Sequence, residues 1–131
     1  MTGQNEPPRG GRRLFLWLHT LVWLPYGLYC FLVPSTLTQS AGVAILSPTA
    51  STELRAMYGG LQAAIGVLTA MGALMATMTR PALIALAFLC GGLGSARLLG
   101  VLVDGGLSGY TIAGLVFEFL SSAMAVRFLR R

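Results

Sequence analysis

Two charges of opposite sign stand in segments where neither is stable alone. Arg97 lies inside CGGLGSARLLGVLVDGG (residues 90–106), an apolar run that Asp104 closes, and Glu118 lies inside GLVFEFLSSA. Insertion scales put an Arg at the centre of a membrane helix at about +2.5 to +3.5 kcal/mol, so such groups face a protein interior and find a counter-charge. Two carboxylates qualify as the partner of Arg97. Asp104, seven residues on, is offset by ~20° around the helix and lies about two turns nearer its end. Glu118 falls nine residues into the following apolar span, at similar depth, and needs a cation as much as Arg97 needs an anion, which makes it the sharper candidate.

Other polar groups gather at the same level. Arg55, Tyr58, Gly59, Gln62, Gly66 and Thr69 recur at helical spacing, a stripe carrying a guanidinium, a phenol, an amide and a hydroxyl. Thr111, Glu118, Ser121, Ser122 and Ala125 share a face of the last span, and Tyr26 and Tyr29 occupy the outer half of the first. This set suits capture of a polar or anionic head, and the expected ligand-binding residues are Arg97, Glu118, Gln62, Arg55, Tyr58 and Asp104. The plainer alternative is an Arg97–Glu118 ion pair that locks two helices, though buried pairs are poor sources of stability because desolvation offsets their attraction. For Arg55 the plainer reading, a place among headgroups beside Glu53, is the favoured one.

Catalysis finds little support. No nucleophile, base and orienter set and no paired carboxylates at one depth can be read, so no catalytic residue is assigned and the balance leans against an enzyme. Any reaction would be proton transfer, such as an isomerisation, with Glu118 as general acid or base. No metal site or cofactor is called for: His19 has no second ligand-type residue at i+3 or i+4. Cys30 and Cys90 differ in depth by ~15 Å of helical rise, too far for a disulfide.

Composition describes the elements that must position these groups. Of 131 residues, 55% are hydrophobic and 10% charged, and the mean hydropathy of +0.74 belongs to a membrane protein. After a polar head (1–13), expected to be disordered and cytoplasmic, a single four-helix transmembrane domain is expected over 14–131, with spans at about 14–33, 55–78, 81–103 and 109–128. The basic flank and apolar core of the first span resemble a signal peptide, but the core exceeds the usual ~7 to 15 residues, and Trp17, Trp23 and Tyr26 suit a resident helix. Pro81 fits the first position of the third span, the glycines of DGGLSG (104–109) a helix stop after it, Ser108 an N-cap for the fourth, and both turns are short, so spans two to four are expected to be antiparallel neighbours. The one long connection, Pro34 to Glu53, is too short in its apolar pieces to span and suits an interfacial segment or a lid over the bundle mouth.

All nine basic residues are Arg, giving a net charge of +5. Seven of them, Arg9, Arg12, Arg13, Arg80, Arg127, Arg130 and Arg131, fall at alternate membrane boundaries, which places both termini in the cytoplasm of a bacterial inner membrane. The charge therefore reads as topology, not as a nucleic-acid surface. Small residues four apart, Gly91 with Ser95, Cys90 with Gly94, Gly59 with Ala63 and Gly60 with Ala64, are expected to let helices approach closely. Gly59, Gly60, Gly91, Gly94 and Ser95 are the helix-packing candidates.

ELRAMYGGLQAAIG, GSARLLGVLVDGG and the intramembrane Glu of LVFEFL resemble the bacterial family catalogued as a domain of unknown function, number 4345, over about residues 14–130. The resemblance implies four spans and carries over Arg55, Tyr58, Gly59, Gly60, Arg97, Asp104, Gly105 and Glu118, but no activity. More distantly, the chain is similar to the small four-span DoxX-like proteins.

Three functions follow as expectations. The first is a binding or transport module for a small amphipathic or anionic ligand, a lipid-like or quinone-like molecule, with the charged head in the polar cluster. The second is a structural or assembly subunit, as a homo-oligomer or within a larger membrane complex, docked through glycine-rich faces. The third is the small enzyme using Glu118. A proton-coupled exporter of the small multidrug kind departs from the pattern, because its key acidic residue belongs to the first span and here that span has none. Membrane lipids are the expected surroundings.

Overall fold

The computed structural model describes residue 8 and residues 10–130. Arg9, Arg131 and most of the expected disordered head lie outside the described residues, while residues 11–13 of that head are helical. The chain is an all-α membrane protein, with no strand among the described residues. Four helices are long and apolar enough to cross a membrane: Gly11–Leu32, Pro48–Leu74, Ala76–Asp104 and Gly109–Leu129. They divide into two compact units, Met1–Thr79 and Arg80–Arg131.

In the first unit α1 (Gly11–Leu32) is followed by two short helices, α2 (Thr36–Ala41) and α3 (Pro48–Leu54), then by a π-helical segment (Arg55–Gly60) that runs into α4 (Leu61–Leu74). The second span thus begins seven residues before the expected Arg55. Ser47 explains why: its hydroxyl accepts from the Ala50 N–H at 3.1 Å, and Pro48 takes a first-turn position where a missing N–H costs nothing.

Glycine sets the contact between α1 and the π-helix and α4. A Cβ placed on Gly59 would stand 2.7 Å from Phe31 Cβ, and one on Gly66 would stand 2.6 Å from Leu24 Cβ. On the facing helix, a Cβ on Gly27 would collide with the backbone of Gly59 and Ala63. Positions fall along α1 as they rise along α4, so the two run antiparallel. Thr20 and Thr69 continue the seam with a hydroxyl–hydroxyl bond of 2.9 Å. In lipid, with no hydrophobic drive between helices, close backbone approach and such bonds supply the attraction.

The turn after α4 differs from expectation. α4 ends at Leu74, a single extended residue, Met75, interrupts the helix, and α5 (Ala76–Asp104) starts five residues before Pro81. The hydroxyl of Thr79 donates to the carbonyls of Gly72 at 2.9 Å and Met75 at 3.3 Å, satisfying acceptors that the end of a helix leaves orphaned. Thr79 therefore caps the preceding helix from within α5, and Pro81 is accommodated inside the helix instead of starting it.

The second unit comprises α5 from Arg80 onward and α6 (Gly109–Leu129). Here the turn matches the sequence. Gly105 stops α5 at a φ of 71°, a left-handed conformation that glycine adopts without penalty. Ser108 caps α6 by accepting from the Thr111 N–H at 3.2 Å.

Candidate functional site

The facing sides of α5 and α6 carry small residues and hydroxyls at one end and charges toward the other. Ser122 donates its hydroxyl to the Ala87 carbonyl at 2.8 Å, and a Cβ on Gly91 would stand 3.0 Å from Ser122 Oγ. Farther along, a Cβ on Gly94 would stand 3.3 Å from Glu118 Cβ. Gly94 thus draws α6 close just where the carboxylate leaves its backbone.

Arg97, one turn beyond Gly94, meets that carboxylate side-on. Its Nη2 donates to Glu118 Oε1 at 2.7 Å and its Nε to Oε2 at 3.0 Å, the two-pronged geometry that makes guanidinium–carboxylate pairs strong and directional. By helical rise the pair lies ~10 Å inside the Asp104 end of α5. Gly114, one turn before Glu118, is part of this arrangement: a Cβ there would stand 2.8 Å from Arg97 Nε and 3.0 Å from Cζ. The missing side chain is the space in which the guanidinium lies. The Tyr110 ring, another turn back on α6, has its centroid 5.8 Å from Arg97 Cζ, within cation–π range.

Exposure is divided unequally across the pair. The Glu118 side chain is 4% exposed and that of Arg97 is 27% exposed. The anion is enclosed, and what the pair presents outward is cationic and bordered by an aromatic face. Such a surface can hold an anionic or strongly hydrogen-bond-accepting group.

Of the expected ligand-binding residues, the structure brings Arg97 and Glu118 together. Asp104, the last residue of α5, is exposed. Arg55, Tyr58 and Gln62 belong to the first unit. The Arg55 Nη1 donates to the Phe31 carbonyl and, at 3.5 Å, to that of Leu32, and its guanidinium lies 5.7 Å from the Phe31 ring centroid. These carbonyls end α1, whose own last turn has no basic residue, so Arg55 caps that helix from the π-helical segment. Tyr58 is half-buried, and Gln62 holds its Oε1 buried with no hydrogen-bond partner. Gly59, Gly66 and Thr69, read from the sequence as part of the polar stripe, form the seam against α1.

The packing expectations divide similarly. Gly59, Gly91 and Gly94 lie in seams, whereas Gly60 and Ser95 are exposed. Three residues beyond the expected ones shape these contacts: Gly27 against the π-helix and α4, and Gly114 and Tyr110 around Arg97. Gly114 and Tyr110 had a signal, since they precede Glu118 by four and eight residues and so share its face. His19 accepts from the Trp23 indole N–H at 3.1 Å and meets the Phe15 ring edge-on, within an aromatic cluster. Cys30 and Cys90 are both buried thiols, one in each unit.

The family described as Domain of unknown function (DUF4345) matches residues 12–129, a stretch that contains both helices of the Arg97–Glu118 pair and all four candidate spans from their first or second residue onward. The chain belongs to this family. No curated protein and no solved structure matches it. As a DUF4345 member it is a multi-pass integral membrane protein, and the family description assigns no activity.

Proposed function

We propose that the protein binds, or moves between leaflets, a small amphipathic molecule with an anionic head, and that Arg97 receives the head while Glu118 holds Arg97 in place. The observation that carries this reading is the unequal exposure of the pair, 27% against 4%, which leaves the cation accessible and the anion shielded. Exposed Leu93, one turn from Arg97 on α5, suits a hydrocarbon tail, and Tyr110 suits the boundary between tail and head. The arginine distribution supports an orientation with both termini in the cytoplasm of a bacterial inner membrane, and the site then opens toward the outer leaflet.

The test uses the full chain in detergent, with oleate as probe and oleyl alcohol as its uncharged counterpart, read by thermal shift and native mass spectrometry. Oleate should stabilise and remain bound to the wild type more than oleyl alcohol does. The double variant R97L/E118L, which replaces the pair with apolar bulk, should fold and lose that difference. Equal response to the two probes, or an undiminished preference for oleate in the double variant, removes the reading.

A further inference from the structure

The opposite end of the α5–α6 hairpin carries a second feature. Ala123, Val126, Arg127 and Arg130 line an open cleft of about 330 Å³. Their spacing of three, four and seven residues puts them on one face of the end of α6, with two guanidinium-bearing residues about one turn apart toward the terminus and two small apolar residues toward the membrane interior. Arg127 and Arg130 are both exposed. Antiparallel pairing brings the start of α5 to this end, and with it exposed Arg80. No Asp or Glu occurs in residues 76–103 or 119–131, so no side-chain carboxylate in these stretches offsets the three charges.

We infer that this cleft is a binding site for one anionic phospholipid of the adjoining leaflet, its phosphate bridged by Arg127 and Arg130 and an acyl chain lying along Val126 and Ala123. Charge complementarity selects an anion, and the order of the residues along α6 selects a lipid. The cations stand at the membrane boundary, while the apolar floor runs inward along the direction an acyl chain takes. A soluble phosphate would use the arginines and leave the floor unused. Arginine suits the role because its planar fork bonds two phosphate oxygens at once. Each basic residue near an anionic bilayer surface strengthens attraction about five-fold, so the pair distinguishes an anionic from a zwitterionic headgroup by about thirty-fold at most. This site is independent of the Arg97–Glu118 proposal.

Full-length protein in nanodiscs of phosphatidylglycerol and phosphatidylcholine, one to three, followed by native mass spectrometry, tests it. The wild type should retain one phosphatidylglycerol through delipidation that strips phosphatidylcholine. R127Q/R130Q should reduce that retention ten-fold or more, and A123F, which keeps every charge and fills the floor, should also reduce it. R12Q/R13Q removes the same charge elsewhere and should leave retention within two-fold of wild type. Equal losses for the two arginine pairs would mean general surface attraction and overturn the site. Displacement of the retained lipid by millimolar inorganic phosphate, or full retention in A123F, would overturn the lipid assignment.

Discussion

Removing one partner of the Arg97–Glu118 pair should cost different amounts depending on which partner goes. In R97L the carboxylate that remains is 4% exposed and has lost its 2.7 Å and 3.0 Å bonds to Arg97. Breaking a buried pair in this way costs about 3–5 kcal/mol. In E118L the remaining charge is the 27% exposed Arg97, on a long flexible stem ~10 Å from the end of its helix, able to extend its head toward water. We expect about 1–3 kcal/mol for E118L. With both replaced by leucine no charge is left unpaired, and exchanging a buried ion pair for apolar bulk is often neutral or stabilising. R97L/E118L should therefore lie within about 1 kcal/mol of wild type, giving a coupling of at least ~3 kcal/mol where independent effects would add to at least ~4. Reversible unfolding in mixed micelles, followed by tryptophan fluorescence on all four proteins, measures the cycle. If E118L is the less stable single variant, or the double variant is as unstable as the two singles summed, the placement of the charge burial is wrong.

Three further outcomes follow from the seams. G27A places a methyl against the Gly59 and Ala63 backbone, which cannot swing aside, and should destabilise by about 1–3 kcal/mol, whereas G92A, with open space around it, should gain up to about 1 kcal/mol from helix propensity; thermal melts that rank the two alike contradict the packing. G114A crowds the Arg97 head, so it should cost about 1–2 kcal/mol in the wild type and become nearly silent in R97L/E118L; an equal cost in both backgrounds would falsify the idea that Gly114 makes room for the guanidinium. T69V removes the bond to Thr20 and should cost about 0.6 kcal/mol, with no added loss in T20V/T69V; additive losses measured by the same unfolding titration would show that the hydroxyls act separately.

The four spans and the need of Arg97 and Glu118 for partners were legible because they rest on local quantities. A run of apolar residues either is or is not long enough to cross hydrocarbon, and a charge within it carries its desolvation cost whatever surrounds it. Ser108 and Gly105 were legible for the same reason, since caps are satisfied within a turn of where they stand. The start of the second span was legible in principle, through Ser47 and Pro48, but lay outside the apolar run on which the span was read.

What tertiary structure decided is how each polar group is used. The stripe of Arg55, Gly59, Gly66 and Thr69 has helical spacing that suits a binding face and a packing face equally. Only the approach of α1 assigns Arg55 to that helix's terminal carbonyls, Thr69 to Thr20, and the glycines to close contact. Periodicity names the residues that share a face but not what lies opposite, because that is fixed by which backbones can come within van der Waals distance. Arg97 posed the same question with two carboxylates at suitable spacing. The sequence by itself required an anion for it; the register of α5 against α6, set by Gly91 and Gly94 on one side and Gly114 on the other, made that anion Glu118 and left the outward face cationic.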